Sequence, residues 1–229
     1  MFILVVMEDQ KSKKKVEEPS AEYLPTGQAG LPSGQAGLPS SRADGHYTYA
    51  DYLAWEIDEM VELIKGKVFR FAAAPRVAHQ RISGRVFVAL FNFLHDKPCE
   101  VFSAPFDVRL PVASKKNEDI DTVVQPDISV ICDPEKLDDW GCIGAPDLIL
   151  EILSPGNNRK ELQNKYEVYE KSGVKEYWII HPEEKTLLTY TLEDHRYVPS
   201  RLLTMGDVVA STTLPGFTLD LNEVFGGSS

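Results

Sequence analysis

Two short apolar runs near the middle of the chain predict strands that are buried on both faces, and each run carries one carboxylate. Residues 148–153 are apolar except for Glu151, with a proline just before the run and Ser-Pro-Gly just after it. Such a bounded run is typical of a strand inside a sheet. Residues 127–132 repeat the pattern. Pro126 fits the first position of a strand, and Asp127 then lies at the beginning of the strand. A carboxylate in such a strand loses hydration unless it is paired, protonated or bound to a cation.

A helix follows the second of these strands. The pattern predicts it over residues 159–172, and Gly173 is the expected C-terminal stop. Asn157 and Asn158 are the two candidates for its N-cap.

This helix carries a lysine in its apolar stripe. One helix face holds four residues at the spacing i, i+3, i+4 and i+7, namely Leu162, Lys165, Tyr166 and Tyr169. A single lysine in such a stripe usually extends past its neighbours to water. Beside Asp127 and Glu151 we instead expect Lys165 to point toward the sheet, because a buried ammonium and buried carboxylates compensate one another.

The segments before these strands predict two helices and a hairpin. A short helix capped by Thr48 is followed by two strands around a Lys65-Gly66 turn. Glu62 lies on the first of these strands, where a solvated residue and a residue that lines a pocket fit the pattern equally well. A long amphipathic helix is predicted over residues 75–94, with Ile82, Val86, Leu90 and Leu94 in its stripe and Val88, Phe91 and Phe93 widening it.

The other segments complete an α/β domain. Residues 99–110 read as a strand, in which Pro105 indicates a bulge or an edge and Asp107 is expected to face outward. Residues 133–144 are expected to form a solvated loop, with a lid as the alternative. Further strands are predicted over residues 176–180, 186–191 and 197–203. This order of elements predicts a mixed central sheet flanked by helices, with extra antiparallel strands.

The first part of the chain differs in composition. PTGQAGL and PSGQAGL stand in tandem over residues 25–38, and such Gly/Pro/Ser/Gln-rich repeats cannot bury a core. We therefore expect a tail over residues 1–45 and one folded domain over residues 46–229. The charges of the tail nearly cancel, so the net charge of −11 belongs to the domain. A chain this acidic is not a general coat for nucleic acid, although a local site can still bind it.

The cysteines and the hydropathy suggest a compartment. The chain has three cysteines, Cys99, Cys132 and Cys142, in no metal-binding spacing, and free thiols in a reducing cytoplasm are the simplest interpretation. The sequence contains no apolar run of the roughly 18 residues that a membrane span needs.

The central motifs resemble a known nuclease family. A strand with Pro126-Asp127, a strand with Glu151 and a helix with Lys165 resemble the PD-(D/E)XK superfamily, and PDISVICDP, GAPDLILEILSP and NKYEVYEKSGVKEYWIIHP are similar to its bacterial Uma2 branch of restriction-endonuclease-like proteins. The similarity extends over residues 47–225. The superfamily pattern places a lysine two residues after the glutamate, where this chain has Leu153. The resemblance implies that Lys165 takes its place.

The resemblance also implies a restriction-endonuclease-like fold and a set of site residues. Asp127 and Glu151, with the backbone carbonyl of Ile152, would hold Mg²⁺ or, in its place, Mn²⁺, which are cations that prefer oxygen ligands. Lys165 would orient the attacking water or stabilise the transition state. Acidic and His-Gln positions of the branch place Glu62, His79 and Gln80 in the pocket, although a lone histidine is more often a structural hydrogen-bonding residue.

The function that these expectations favour is metal-dependent hydrolysis of phosphodiester bonds in nucleic acid, with DNA as the expected partner. Two alternatives stay open. One is a binding or regulatory module that has the nuclease fold but does not cut, and the other is a phosphoesterase with a smaller substrate. A homodimer is a further open expectation, and no membrane partner is expected.

Overall fold

The computed structural model of the protein describes residues 45–56, 60–70, 76–154 and 159–226. Residues 1–44 of the predicted tail and both candidate N-caps of the third helix lie outside these ranges. The boundary between tail and domain therefore remains a prediction.

The described residues form four α-helices, one short 3₁₀ helix (Pro134–Lys136) and three sheets. The helices are α1 (Tyr49–Leu53), α2 (Val77–Leu94), α3 (Arg159–Ser172) and α4 (Leu221–Phe225). The strands are β1 (Val61–Ile64), β2 (Lys67–Arg70), β3 (Glu100–Ser103), β4 (Val108–Arg109), β5 (Val123–Val124), β6 (Ile128–Ile131), β7 (Leu137–Asp138), β8 (Gly141–Ile143), β9 (Leu148–Ile152), β10 (Glu176–His181), β11 (Thr186–Glu193), β12 (Arg196–Pro199), β13 (Leu203–Thr204), β14 (Val208–Ala210) and β15 (Thr218–Asp220).

The central sheet is mixed. Its strand order is β12-β11-β10-β9-β6-β3, with β13 paired to β11. Strands β9 and β10 are parallel, and the other pairs in the sheet are antiparallel. The α3 helix connects the two parallel strands, as such a crossover requires. The predicted α/β class with a mixed central sheet and extra antiparallel strands is confirmed.

A second sheet lies against the first. Its order is β2-β1-β5-β4-β8-β7, while β14 and β15 form a separate pair. The hairpin at Lys65-Gly66 is present, and both turn residues have the positive φ angles that such a tight turn requires. Part of the segment 133–144, predicted as a solvated loop, instead supplies β7 and β8 to this sheet. That prediction was wrong because these strands have only two and three residues, too few for a visible pattern.

Alternation along β9 divides the core into two layers. Leu148, Leu150 and Ile152 pack in one apolar cluster with the buried stripe of α2. Ile149 and Leu153 belong to the other cluster, together with Val168 and Tyr169 of α3. Each fully buried aliphatic side chain contributes about 1.5–3 kcal/mol, so the pattern fixes which face of β9 turns to which helix. Glu151, on the α3 side, is the exception in this strand.

The α2 helix differs from its prediction on one side. Ile82, Val86 and Leu90 are buried as expected. Val88 and Phe91, predicted to widen the stripe, are exposed instead. They lie more than a quarter turn from the buried residues, where nothing covers the helix within the part of the chain that the structure describes. The longest helix therefore retains an apolar outer side, and no described helix is both long and apolar enough to cross a membrane.

The segment 99–110 is two strands, not one. A cis peptide between Ala104 and Pro105 separates β3, at the edge of the central sheet, from β4 in the second sheet. The edge position agrees with the proline signal. Asp107, expected to face outward, is partly buried and accepts hydrogen bonds from Gln125 and Tyr52. The outward assignment was wrong because Tyr52 and Gln125, both distant in sequence, lie against its carboxylate.

Two of the cysteines are paired. Cys99 and Cys132 form a disulfide at the end of the β3–β6 pair, and only Cys142 among the three is a free, buried thiol. The prediction of three free thiols was wrong because cysteines 33 residues apart in sequence become cross-strand neighbours. The argument for a reducing compartment that rested on free thiols no longer holds.

Candidate active site

The two strand carboxylates lie at the same end of adjacent antiparallel strands. Ile128 of β6 pairs with Leu150 of β9, so Asp127 falls at the level of Glu151. Asp127 precedes the strand, and its Oδ2 accepts a hydrogen bond from the backbone N–H of Ile152 at 2.7 Å. Their side chains are 20% and 10% exposed, respectively. The sheet therefore presents both carboxylates at one partly open edge.

Lys165 of α3 joins two carboxylates from different sheets. Its Nζ lies 2.9 Å from Oε1 of Glu151 and 3.0 Å from Oε1 of Glu62 on β1. The lysine side chain is 3% exposed and the Glu62 side chain 1%. Lys165 thus points to the sheet, as the spacing on the helix predicted, and does not extend to water. Of the two interpretations of Glu62, the solvated strand residue is excluded.

The sequence around α3 explains how the lysine is held there. Gly173 has φ of +87° and ends the helix, with its N–H donating to the carbonyl of Tyr169 at 3.2 Å. Tyr169 is fully buried, four residues after Lys165 and on the same face. Its hydroxyl donates to Oε1 of Glu151 at 2.7 Å. Sequence reasoning missed this donor, although its place in the stripe already put it beside Lys165.

The charge of Glu151 is disfavoured in the folded protein. Its pKa is raised from 4.5 to about 7: burial is the largest cause, Lys165 opposes it, and the charges of Asp127 and Glu62 act in the same direction as burial. Lys165 and Tyr169 both donate to the same oxygen, Oε1. No hydrogen bond to Oε2 is formed by the residues that the structure describes. Glu151 therefore has one fully used oxygen and one that is available to a further ligand.

His79 lies beside Oδ1 of Asp127, the oxygen that does not accept from Ile152. Its Nε2 is 3.1 Å from Oδ1 of Asp127, and the imidazole is buried. Burial lowers the pKa of His79, but the hydrogen bond and the charge of Asp127, together with Glu151 and a hydrogen bond to the backbone of Ile152, raise it by more. Nδ1 is buried and has no hydrogen-bond partner among the described residues. The pKa of His79 is thus raised overall, and its ring lies against Asp127, one of the three groups of the predicted metal shell.

Gln80, the next residue along α2, is not part of this cluster. Its side chain is exposed and lines a groove on the outer side of the helix. Successive residues on a helix are about 100° apart, so with His79 facing the sheet the Gln80 side chain projects to the side of it. Of the three expected pocket residues, the structure brings Glu62 and His79 to the carboxylates and leaves Gln80 outside.

A polar relay between the sheets fixes Glu62. The backbone N–H of Gln125 donates to Oε1 of Glu62 at 2.8 Å. The Gln125 amide donates to Oδ1 of Asp107 at 2.8 Å and to the hydroxyl of Tyr52 at 3.1 Å. Burial raises the pKa of Asp107. This relay, two residues before Asp127, was also missed, because it joins segments far apart in the chain.

The donor set suits a hard divalent cation. Asp127 and Glu151 supply carboxylate oxygens and Ile152 a backbone carbonyl, and Mg²⁺ prefers such ligands while keeping several waters. Within residues 45–56, 60–70, 76–154 and 159–226, no three His, Cys, Asp or Glu side chains are grouped as a metal site. Water and backbone oxygen must therefore complete any metal shell. The free Oε2 of Glu151 is the observation that leaves room for it.

Comparison with known proteins identifies a family and a similar fold. Residues 49–222 match the model of the Uma2 family, which is described as "putative restriction endonuclease". A solved structure of a putative nuclease of the DUF820 group from Anabaena variabilis superimposes with a TM-score of 0.62 at 20% identity, covering 78% of this chain and 97% of the other. An uncharacterised protein of Synechocystis sp. is 27% identical over 121 residues. That match spans 52% of this chain and 60% of the relative, which is less than two thirds of its length.

Proposed function

This chain belongs to the Uma2 family of restriction-endonuclease-like proteins, and we propose that it is a metal-dependent endonuclease that hydrolyses phosphodiester bonds in DNA. One observation carries the proposal. Lys165, buried on a helix, lies 2.9 Å from Glu151 on a strand whose neighbour presents Asp127. A lysine beside two strand carboxylates suits metal-dependent phosphodiester hydrolysis, and in this proposal Lys165 takes the place of the lysine that is absent at Leu153.

Each residue of the proposed site has a distinct task. Asp127, Glu151 and the carbonyl of Ile152 would hold Mg²⁺ or Mn²⁺, which when bound lowers the pKa of a water ligand and offsets negative charge on the phosphate. The Lys165 ammonium donates hydrogen bonds in a site with little water, where such donors stabilise developing charge most effectively. Tyr169 keeps Oε1 of Glu151 occupied and so directs Oε2 outward.

His79 and Glu62 have supporting tasks in this proposal. His79 holds Oδ1 of Asp127 through its Nε2, which fixes the rotation of that carboxylate. Glu62 holds Lys165 from the second sheet. Because Glu62 also accepts from the Gln125 backbone, the lysine is fixed relative to both sheets. Such support by hydrogen-bonded neighbours is what keeps the groups of an active site in position.

The test is a digest of supercoiled plasmid, single-stranded DNA and RNA with Mg²⁺ or Mn²⁺, compared with EDTA. We expect nicked and linear plasmid in the metal samples and intact plasmid with EDTA. Asp127→Asn and Glu151→Gln should abolish cleavage while the protein remains folded by circular dichroism. A wild-type protein that leaves all three nucleic acids intact with both metals would overturn the proposal.

A binding module that does not cut is the second candidate. Leu153 occupies the position where the superfamily pattern has lysine, and it packs in the apolar cluster under the site. The net charge of −11 also weakens contact with phosphate. Retention of DNA in a gel without cleavage would favour this candidate, whereas hydrolysis of a small phosphodiester with intact DNA would favour a phosphoesterase.

A further inference from the structure

The outer side of α2 carries a second apolar stripe that nothing in the described chain covers. Val77, Val88 and Phe91 are 66%, 55% and 52% exposed. Gly84 lies between them, and a Cβ added there would meet no atom within 4 Å. Together with Arg81 these residues follow the spacing i, i+4, i+7, i+11 and i+14, which is the spacing of a helix-pairing seam. We call these five residues the α2 outer face.

We propose that the α2 outer face binds the same face of a second copy of this chain, with the two helices antiparallel and crossing at Gly84. Val77 and Phe91 are each seven residues from Gly84, which is about 10 Å along the helix in either direction. In a two-fold symmetric contact, Val77 therefore meets the partner subunit's Phe91, and Phe91 meets the partner subunit's Val77. The glycine at the centre lets the two backbones approach closely.

The charges beside the outer face also suit a second copy. The face borders a groove of about 640 Å³, whose lining includes Arg81 and Arg85 of α2 and Glu223 of α4. No Asp or Glu occurs in α2, although the whole chain has a net charge of −11. Copies of an acidic protein repel over most of their surfaces, and this helix is where the acidic groups are absent. Because α2 carries arginines and no carboxylates, a second acidic copy meets less repulsion at this helix than at the acidic parts of the surface.

The arginines of the α2 outer face and its rim could also suggest nucleic acid as the partner. The exposed apolar residues Val77, Val88 and Phe91 argue against that. Phosphate contacts do not require exposed valine and phenylalanine side chains. Arg85 is also already engaged, since its guanidinium donates to the carbonyl of Val224 at 2.9 Å. A single helix pair is a small interface, so we expect a dimer that dissociates on dilution. The proposal does not depend on nuclease activity.

The first test is the mass of the full-length chain in solution by sedimentation across a dilution series. We expect wild type to change from twice the chain mass to the chain mass on dilution. Gly84→Gln and Val88→Glu should remain monomeric at every concentration, with unchanged circular dichroism. Their melting temperature should not lie below that of the dilute, monomeric wild type, because both sites are open in the monomer. Val112→Glu, at a site that is 85% exposed and far along the chain, should dimerise like wild type.

The second test fixes the direction of the helices. A mixture of Val77→Cys and Phe91→Cys chains should form a cross-linked pair under mild oxidation, whereas each variant by itself should not. Native thiols do not interfere, because Cys99 and Cys132 are paired and Cys142 is buried.

Three results would overturn the proposal. They are a wild-type monomer at all concentrations, a dimer that persists in both Gly84→Gln and Val88→Glu, or self-linking of Val77→Cys without the mixed pair. If the two α2 variants lose DNA retention in a gel while wild type is monomeric, the face is a nucleic-acid surface and the proposal is likewise wrong.

Discussion

Glu151 and Glu176 are two buried glutamates on adjacent strands of the central sheet, and their surroundings differ. Glu176 on β10 faces the α2 side and receives only neutral donors, two on each oxygen: Trp178 Nε1 at 2.8 Å and Thr212 N at 3.3 Å on Oε1, and Ser211 Oγ at 2.6 Å and Thr213 N at 3.1 Å on Oε2. Glu151 on β9 faces the α3 side and receives Lys165 and Tyr169, both on Oε1.

This difference separates a carboxylate with both oxygens bonded from one that has an oxygen open to a ligand. Both oxygens of Glu176 are satisfied, and they hold the turn at residues 211–213 to the sheet. Glu151 is crowded by the charges of Asp127 and Glu62 and has one oxygen that no described residue bonds. Burial of a carboxylate is therefore a poor guide to function by itself. The distribution of donors over its two oxygens is a better one, because a ligand needs a lone pair that the protein has not used.

Removing Lys165 should have the largest effect on the Glu151 side. Lys165→Met leaves the carboxylates of Glu151 and Glu62 buried without their cation, which should lower the free energy of unfolding by about 3–5 kcal/mol. It should also reduce metal-dependent plasmid cleavage to the level seen with EDTA. Added Mg²⁺ should restore part of the stability by supplying positive charge. Denaturant unfolding and the plasmid digest measure the two effects.

The matched control is Lys171→Met, at an exposed position in the last turn of the same helix, which should change neither quantity. A folded Lys165→Met protein that cuts at the wild-type rate would remove this residue from the catalytic set.

Replacing each glutamate by glutamine should have opposite effects at the two positions: a loss of stability at Glu176 and a loss of cleavage at Glu151. Glu176→Gln forces an amide NH₂ against donors on either oxygen, which should cost about 1–3 kcal/mol and leave cleavage unchanged. Glu151→Gln should abolish cleavage with little loss of stability in the metal-free protein, because the amide nitrogen can occupy the unused Oε2 position. Thermal melts and the digest distinguish the two variants. A Glu176→Gln protein that is stable but inactive would contradict this comparison.

The metal-free protein should lose stability as the pH rises toward neutrality. The folded state raises the pKa of Glu151 from 4.5 to about 7, so it holds this proton more tightly than the unfolded chain does. The resulting stabilisation is complete below the unfolded pKa and is lost as the pH rises through the folded pKa. The raised pKa of His79 acts in the same direction. Urea unfolding over this range should show the slope, and Glu151→Gln should flatten it.

Metal should offset this loss. A cation that binds only the folded protein raises its melting temperature, and protons compete with it for Glu151. The increase with Mg²⁺ or Mn²⁺ should thus be larger above pH 7 than below it. The Asp127→Asn/Glu151→Gln double variant should show no increase at either pH, and an equal increase in that variant would place the metal elsewhere.

The smallest effects should come from single neutral donors. Tyr169→Phe removes one hydrogen bond to Glu151, and Ser211→Ala removes one to Glu176. Each should lower the free energy of unfolding by only about 0.5–1.5 kcal/mol, because the acceptor oxygen keeps a second donor, Lys165 or the Thr213 N–H. Cleavage should fall severalfold in Tyr169→Phe, since Glu151 is then free to rotate, and should not change in Ser211→Ala. Equal cleavage in the two variants would show that Tyr169 is only a packing residue.

The sequence by itself determined the local half of the site. The apolar run around Glu151 predicted a buried strand, and the spacing of Leu162, Lys165 and Tyr169 predicted the side of α3 that faces it. Gly173 marked the end of that helix. These predictions succeed because period and turn chemistry depend on residues within one or two turns of each other. The mixed α/β sheet followed from the order of such elements.

Only the tertiary structure decided which distant groups meet the local ones. Glu62 lies 103 residues before Lys165. The sequence pattern of β1 was equally consistent with a solvent-exposed Glu62 and with a Glu62 that lines a pocket. Asp107 was assigned to the wrong side, and the pairing of Cys99 with Cys132 was not foreseen. Each of these outcomes depends on which strand lies beside or above another, and a single strand's periodicity gives its faces but not its neighbours. The open oxygen of Glu151 is likewise a property of the assembled donors, because no residue by itself specifies it.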